Sequence, residues 1–300
     1  MKINADRLIG TYSSNQNGPL LVISAGVHGN EPSGVIALEK VLETLKTEKP
    51  IIKGTIIALY GNKPALKKEV RYIDEDLNRT WTVKNVQNRN TDSVEKKQMF
   101  DIIDTLQQYP QDSYTDSYFL DCHTTSSDSL PYISVQETGN NDAWAHRFPT
   151  HIIRGFSDIV SGCIDHYLSR NKYTGFVFEG GQHESKDAAK NHEGMIWMAI
   201  EQACKLDLQK LSVFPESVTH LKKQQPHQKT FEIQYRHEIL NGDQFKMQPG
   251  FENFQPVSKG ELLAIHNKKE IRSQWNAFIF MPLYQSQGND GFFIIREAQS

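Results

Sequence analysis

The chain has 300 residues and a mass of 34.3 kDa, enough for one large domain or for a large and a small one. Its 33 lysines and arginines oppose 36 aspartates and glutamates, and the net charge of −3 excludes nucleic-acid binding driven by bulk positive charge. Hydrophobic residues make up 38% of the chain, and together with 19 glycines this is a globular composition that excludes disorder over most of its length.

Neither a membrane protein nor a secreted one is indicated. The opening segment MKINADRLIG lacks the apolar run of a secretory signal, and the apolar stretches 20–23 and 277–281 are far shorter than the roughly 18 residues typical of a membrane span. Three widely spaced cysteines without a C-x-x-C pair, Cys122, Cys163 and Cys204, indicate reduced thiols. We therefore expect a cytoplasmic protein without a membrane or nucleic-acid partner, whose histidines are the better candidates for metal ligands.

Strands and helices alternate through most of the chain. In chain order, the hydrophobic patterns predict a strand at 20–24, a helix at 33–46, a strand at 54–60, a helix at 94–107, strands at 118–122 and 174–179, and a helix at 193–208. Ser33 is the predicted N-cap of the first helix. The alternation predicts an α/β fold with a mixed, largely parallel sheet and flanking helices.

The pattern changes after Leu211, where short strand-like segments are separated by Gly, Pro and Asn turns. These segments lie at 230–236, 262–266, 277–281 and 291–296. We expect a smaller C-terminal all-β unit after an α/β domain. The predicted domains are 1–212 and 213–300, joined near 210–228, where the polar stretch 222–229 fits either a linker or a surface turn.

The first candidate site lies in a glycine-rich loop just after the first predicted strand. His28 and Glu31 are three residues apart and can converge on one ion, although a polar turn would explain the same two residues. His123 ends another predicted strand, and two imidazoles with one carboxylate form the ligand set of some catalytic zinc sites. Asp121 is either a hydrogen-bond partner on the same side of the strand as His123 or an ordinary strand-end carboxylate.

Two further segments carry side chains suited to an amide substrate with a carboxylate. Arg71 can polarise a carbonyl, and Arg79 can hold a carboxylate through two hydrogen bonds. Asn78 can orient an amide or a carboxylate, and Glu179, at the end of an apolar strand beside two glycines, is a candidate general base. Taken singly, these segments also fit a solvated loop with local ion pairs and a strand-end carboxylate facing solvent.

Together the motifs closely resemble the succinylglutamate desuccinylase/aspartoacylase family, a branch of the zinc carboxypeptidase superfamily. The resemblance covers about residues 18–205 and is carried in order by His28-x-x-Glu31, Arg71-Tyr-Ile-Asp with Asp-Leu-Asn78-Arg79, Asp121-x-His123 and Glu179-x-Gly. It implies a zinc-carboxypeptidase-like sheet and one zinc ion per chain. It also implies that the first domain, 1–212, is catalytic and that the β-rich C-terminal domain, 213–300, caps its active site. The implied roles are His28, Glu31 and His123 as zinc ligands, Arg71 as carbonyl polariser, Asn78 and Arg79 as substrate anchors, and Glu179 as general acid and base.

The family implies two more substrate contacts, which fit this sequence less directly. Family members can place an arginine upstream of the catalytic glutamate, and Arg170 is near that position but does not align without a gap. A tyrosine near the C-terminus that contacts substrate has Tyr284 as its counterpart. These two positions would distinguish acetylaspartate, succinylglutamate and other acyl-amino acids.

The function implied by the resemblance is zinc-dependent hydrolysis of the amide bond in a small anionic N-acyl amino acid. One rival is a metallocarboxypeptidase acting on peptide C-termini, which would need a pocket left open by the C-terminal domain. Another rival is a non-catalytic metal-binding relative. The presence of Arg71 and Glu179 in addition to all three ligands argues against it. The acyl group, the amino acid and the oligomeric state are not determined by the sequence, and a homo-oligomer stays open.

Overall fold

The computed structural model describes residue 3 and residues 6–156, 159–224 and 227–298. The strands are β1 (Leu8–Ser13), β2 (Leu20–Ala25), β3 (Thr55–Tyr60), β4 (Ser117–Thr125), β5 (Tyr132–Ser134), β6 (His151–Arg154), β7 (Thr174–Gln182), β8 (Thr230–Glu238), β9 (Phe245–Met247), β10 (Gln255–Val257), β11 (Leu262–His266), β12 (Lys269–Arg272), β13 (Ala277–Phe280) and β14 (Asp290–Glu297). The α-helices are α1 (Ser33–Glu48), α2 (Lys63–Lys68), α3 (Val83–Gln87), α4 (Val94–Leu106), α5 (Asn141–Ala145), α6 (Ile164–Arg170), α7 (Ala188–Cys204) and α8 (Glu216–Gln224).

Buried parallel strands form the centre of the large sheet. β2 pairs in parallel with β3 on one side and with β4 on the other, and β4 pairs in parallel with β7. Every residue of β2 is buried, as expected for a strand that is covered on both faces. Because these strands run in one direction, their carboxyl ends meet at a single edge, where the predicted site residues follow them.

Helices cover both faces of this sheet. Alternate side chains of a strand point to opposite sides, and here the apolar side chains on both sides are buried. Leu21 and Ile23 belong to the hydrophobic core that includes α1 and α7. Leu20 and Val22 belong to a second core, on the other face, that includes α4 and α6. The predicted α/β fold with a largely parallel sheet is therefore confirmed.

Most predicted elements of this region are present, with shifted ends. The helix predicted at 193–208 is α7, which begins earlier, at Ala188. The N-cap prediction for Ser33 is wrong, because Pro32 is the capping residue and the Ser33 hydroxyl lies 3.2 Å from Nδ1 of His192 instead. All three cysteines are free, as the sequence predicted, and all three are buried. No helix in the described part of the chain combines the length and apolar character needed to cross a membrane.

The C-terminal strands extend the large sheet. β8 pairs in parallel with β6, and β14, β13 and β10 follow in antiparallel order, so that one sheet of eleven strands runs through the described residues. β9, β11 and β12 form a separate antiparallel sheet of three strands. The unpredicted helix α8 precedes these strands and packs against α7.

The division into domains at 212 and 213 stays a prediction. Gln225 and Pro226, within the polar stretch expected to join the two domains, lie outside the described residues.

Candidate metal centre and adjoining cavity

Two imidazoles and one carboxylate converge at the edge of the parallel strands. Nδ1 of His28 lies 2.7 Å from Oε1 of Glu31, and Nδ1 of His123 lies 3.2 Å from Oε2 of the same carboxylate. All three residues are buried, and each offers a ligand atom within 4.8 Å of the other two. The structure therefore brings the three predicted metal ligands into one cluster that can hold a metal ion.

The chain reaches this geometry through a tight loop after β2. Gly29 packs so closely on α2 that a Cβ atom at this position would lie 2.1 Å from the carbonyl carbon of Ala65, so a larger residue would displace the loop. The amide of Gly29 donates to the carbonyl oxygen of Arg71, which ties the loop to the next site segment. β4 runs beside β2, and its continuation past the predicted end places His123 next to the loop.

A carboxylate also lies against the outer nitrogen of each imidazole. Nε2 of His28 is 3.0 Å from Oδ1 of Asp76, and Nε2 of His123 is 2.8 Å from Oδ2 of Asp121. Because the Nε2 side of each ring is occupied, Nδ1 is the nitrogen left to face a metal ion. Asp121 thus lies on the same side of the strand as His123, as predicted. The part played by Asp76 was not predicted, since the sequence does not show which acidic residue of its loop turns inward.

The electrostatics of the cluster favour ionised carboxylates. Burial by itself raises the pKa of Glu31, but the adjacent His28 and His123 outweigh burial and hold this pKa well below its usual range. The same balance of burial against His28 and Arg71 holds the pKa of Asp76 well below its usual range. Ionised carboxylates with nitrogen and oxygen ligand atoms in a buried cluster match the chemistry that zinc requires.

Arg71 lies beside the cluster. Its Nη2 donates to Oδ2 of Asp76 at 2.9 Å, and its Nη1 is 3.6 Å from Oε1 of Glu31. Asp76 therefore holds both Arg71 and the ring of His28, so that the positions of the two side chains are coupled.

Glu95 fixes the loop that carries Arg71 and Asp76. The Glu95 side chain is fully buried, and its Oε1 accepts hydrogen bonds from Nδ2 of Asn62 and the amide of Ile73. Its Oε2 accepts from the amides of residues 74 and 75. Sequence reasoning missed this residue, because nothing in the pattern of α4 separates it from the exposed acidic residues of the same helix.

Glu179 faces the metal cluster from the neighbouring strand β7, where it pairs in register with His123. It is 8% exposed, and its Oε2 has no hydrogen-bond partner among the described residues, which excludes the alternative of a strand-end carboxylate facing solvent. Burial raises the pKa of Glu179 to about 8. The charge of His123 opposes this rise, and the negative charge of Glu31 adds to it.

Asn78 and Arg79 lie in a 3-10 turn, Leu77–Arg79, that follows Asp76. Oδ1 of Asn78 accepts a hydrogen bond from the amide of Ile164 at the start of α6. Nη2 of Arg79 donates to Oδ2 of Asp290 at 2.7 Å, and Asp290 belongs to β14. The predicted carboxylate anchor is therefore paired with a carboxylate of its own chain.

Part of this site lines one cavity of about 90 Å³. Its polar lining consists of His28, Arg71, Asn78, Arg79, His123, Ser134, Gln136, Cys163, Asp165, His166, Glu179 and Asp290. Its apolar and aromatic lining consists of Tyr132, Phe156, Val160, Val177, Met281 and Phe293. The C-terminal strands and loops thus contribute part of the wall.

Arg170 and Tyr284 lie away from this cavity. Arg170 donates to the carbonyl oxygen of Trp81 and is absent from the lining of the cavity. The hydroxyl of Tyr284 donates to the carbonyl oxygen of Gln248 and accepts from the amide of Phe251, and its side chain borders a separate surface depression. The structure thus does not bring either residue to the other predicted site residues.

The fold and the site define a mixed α/β protein with a buried His-Glu-His cluster that can hold a metal ion, a nearby carboxylate and a small cavity. Residues 17–165, about half of the chain, match the family model described as the succinylglutamate desuccinylase/aspartoacylase catalytic domain. The chain belongs to this family. The match includes the predicted metal ligands and the segment from Arg71 to Arg79, and it ends before Glu179.

Short segments of curated proteins support the same family. The chain is 41% identical over 61 residues to a succinylglutamate desuccinylase of Photorhabdus laumondii, covering 20% of this chain and 19% of that protein. It is 36% identical over 68 residues to the succinylglutamate desuccinylase of Pseudomonas putida, covering 23% and 20%. The chain thus matches about a fifth of the length of these relatives.

Solved structures share the fold over nearly the whole chain. A succinylglutamate desuccinylase/aspartoacylase from Rhodobacter sphaeroides gives a TM-score of 0.70 at 15% identity, covering 96% of this chain and 88% of that one. The product-bound ectoine utilization protein EutE (DoeB) from Ruegeria pomeroyi gives 0.69 at 17% identity, with the same coverage. At these identities the likeness shows the fold alone.

Proposed function

We propose that this protein is a zinc-dependent hydrolase that cleaves the amide bond of a small N-acyl amino acid, in the manner of an aspartoacylase or a succinylglutamate desuccinylase. The observation that carries the proposal is the buried carboxylate of Glu179, which faces the His28, Glu31 and His123 cluster across a cavity also lined by Arg71. An amide hydrolase needs this combination of a metal site, a proton acceptor and a cation for the carbonyl oxygen.

His28, Glu31 and His123 would hold the zinc ion through their inward-facing atoms. When bound, zinc supplies Lewis-acid polarisation of a carbonyl group and lowers the pKa of water. The carboxylates of Asp76 and Asp121, which lie behind the two imidazoles, fix the rings and increase the basicity of the ligand nitrogens.

Glu179 takes the proton of the attacking water and returns it to the leaving nitrogen. Burial places its pKa at about 8 in the metal-free site, near neutrality as proton transfer in both directions requires. Arg71, held by Asp76, stabilises the negative charge that develops on the carbonyl oxygen.

Asn78 and Arg79 bind the carboxylate of the amino acid. A substrate carboxylate would compete with Asp290 for the guanidinium of Arg79, and the planar fork of arginine favours two parallel hydrogen bonds. Arg170 and Tyr284, the other predicted contacts, lie outside the cavity lining and are not needed for this scheme.

The size of the cavity favours a small substrate over a peptide. At about 90 Å³, and with Met281, Asp290 and Phe293 of the C-terminal region in its wall, it suits a single acyl-amino acid better than a chain terminus. This supports the deacylase over the metallocarboxypeptidase. The cytoplasmic location and a homo-oligomeric state stay predictions from the sequence.

The proposal is tested by incubating purified, zinc-quantified protein with N-acetyl, N-succinyl and N-formyl amino acids and with short peptides, and by measuring the released amine with and without a chelator. We expect chelator-sensitive hydrolysis of acyl-amino acids, and loss of most turnover in Glu179→Gln with bound zinc retained. Cleavage of peptides alone would favour the carboxypeptidase. Full activity in Glu179→Gln would remove this residue from the mechanism.

A further inference from the structure

Asp165 is a buried cavity residue to which the proposed reaction gives no role. Its side chain is 2% exposed and lines the cavity that holds the metal cluster. Oδ2 accepts a hydrogen bond from Nε2 of Gln136 at 2.7 Å, whereas Oδ1 is buried and has no hydrogen-bond partner in the described chain. Because a buried carboxylate oxygen without a hydrogen bond is unfavourable, this atom is placed to accept a hydrogen bond from a bound ligand.

The chain supplies no matching positive charge to Asp165. In the described residues, no cationic side chain lies within 4.0 Å of its carboxylate as an ion-pair partner. The two arginines of the cavity are paired with other carboxylates, Arg71 with Asp76 and Arg79 with Asp290. The adjacent His166 does not fill this gap. Burial lowers the pKa of His166, which favours the neutral ring, and burial also raises the pKa of Asp165, as expected of a carboxyl group without a fixed cation beside it. Nε2 of His166 is itself buried without a described partner.

A second metal ion at this place is disfavoured. Ligand atoms of Cys163, Asp165 and His166 lie within 4.8 Å of one another. However, Nη1 of Arg79 lies 3.7 Å from Sγ of Cys163, so a guanidinium already occupies the surroundings that a cation would enter. Burial also raises the pKa of the Cys163 thiol, which keeps it protonated and a poor ligand.

The position of Asp165 relates it to the amino-acid half of a substrate. The amide of Ile164, the preceding residue, donates to Oδ1 of Asn78, and Arg79 contacts Cys163. Asn78 and Arg79 are the groups proposed to hold the α-carboxylate. A side chain attached to the same α-carbon would therefore extend near Asp165.

We propose that Asp165 is a specificity-determining residue that pairs with an ammonium group on the substrate's side chain, so that the substrate is an N-acyl derivative of a short basic amino acid. This rests on the proposed amide hydrolysis, and it replaces the anionic substrate expected from the sequence by one with a cationic side chain. A second carboxylate on the substrate would instead meet the unpaired carboxylate of Asp165, because Arg71 is held by Asp76 and Arg79 would bind the α-carboxylate.

Three probes whose amino acids have the same number of carbon atoms differ in whether the side chain ends in a cation, a methyl group or an anion: Nα-acetylornithine, Nα-acetylnorvaline and Nα-acetylglutamate. Their dissociation constants are measured by calorimetry on the zinc-loaded Glu179→Gln protein, in which turnover is blocked. We expect the ornithine derivative to bind at least tenfold more tightly than the norvaline derivative, and the glutamate derivative to bind most weakly. Adding Asp165→Asn should reduce the ornithine advantage to less than threefold and leave norvaline binding unchanged.

The matched control is Asp104→Asn. This variant removes an exposed acidic group that does not line the cavity, and it should change none of the three dissociation constants. Equal or tighter binding of the glutamate derivative would overturn the proposal, as would an ornithine preference that survives Asp165→Asn. A second bound zinc that disappears in Asp165→Asn would assign the residue to a metal site instead. Should this variant not fold, the order of the three constants in the Glu179→Gln protein still decides.

The binding order also separates this proposal from the hydrolase function. If the wild-type protein hydrolyses no member of the wider panel of acyl-amino acids while the ornithine derivative still binds most tightly, the hydrolase function is refuted and the role of Asp165 is supported. Hydrolysis with a preference for the glutamate derivative would support the hydrolase function and refute the proposed role of Asp165.

Discussion

Replacing Glu95 by glutamine should loosen the loop that positions Arg71 and Asp76. The carboxylate of Glu95 accepts four hydrogen bonds, two at each oxygen. A glutamine has the same shape but only one acceptor oxygen, so its amide nitrogen must face two N–H donors. Because Asn62 is fully buried, the remaining oxygen should stay on the Asn62 side, and the amides of residues 74 and 75 should lose their partner.

The magnitude follows from the two lost bonds. A hydrogen bond to a charged group contributes about 1.5–3 kcal/mol, and water can reach the partly exposed loop amides and offset some of the loss. We expect the free energy of unfolding to fall by about 3 kcal/mol. Since Asp76 holds the ring of His28, zinc affinity should also weaken, by about tenfold, at the lower end of the effect typical for groups behind metal ligands.

The assay combines urea denaturation with competitive zinc titration. Hydrogen exchange of the amides in 71–79 distinguishes a locally opened loop from a globally destabilised protein. Asp104→Asn, on the exposed face of the same helix, is the control and should change stability by less than about 0.5 kcal/mol, because its ion pair with Arg89 is solvent-exposed. If Glu95→Gln matches this control in stability, zinc affinity and exchange, the proposed anchoring role is wrong.

Three further outcomes can be checked by equilibrium unfolding. Gly29→Ala should destabilise the protein by about 3 kcal/mol or more and weaken zinc binding, because its Cβ would overlap the backbone of Ala65; an unchanged unfolding curve would contradict this. Zinc at a hundred times its dissociation constant should stabilise the protein by about 2.7 kcal/mol, and His123→Ala should abolish most of this gain. In the metal-free protein, the folded-state pKa of Glu179, raised to about 8, exceeds its unfolded value, so the unfolded state binds fewer protons between about pH 4.5 and 8 and stability falls as pH rises through this window. Glu179→Gln should remove up to about 1.4 kcal/mol of this loss per pH unit, and a stability difference between the two proteins that is constant with pH would show that the pKa is not raised.

Within the chain, the sequence by itself determined the elements whose signal is local. β2, β3 and the core of β7 were predicted because a strand buried on both faces must be continuously apolar. The His28 and Glu31 pair, and His123 at a strand end, could be placed together because parallel strands collect their carboxyl ends at one edge. The short strands β5 and β6 were not predicted, because a hydrophobic pattern over three or four residues is too short to indicate a strand.

Only the tertiary structure decided which charged side chains meet. Arg79 pairs with Asp290, and Glu95 accepts hydrogen bonds from a loop that is distant in sequence. One carboxylate oxygen of Asp165 is left without a partner in the part of the chain that the structure describes. The fold also decides the position of Arg170, whose helix turns it toward the Trp81 carbonyl rather than the cavity. Hydrophobic burial has a sequence period that can be read locally, whereas the partner of a buried charge depends on strand register and loop path, which the whole fold determines.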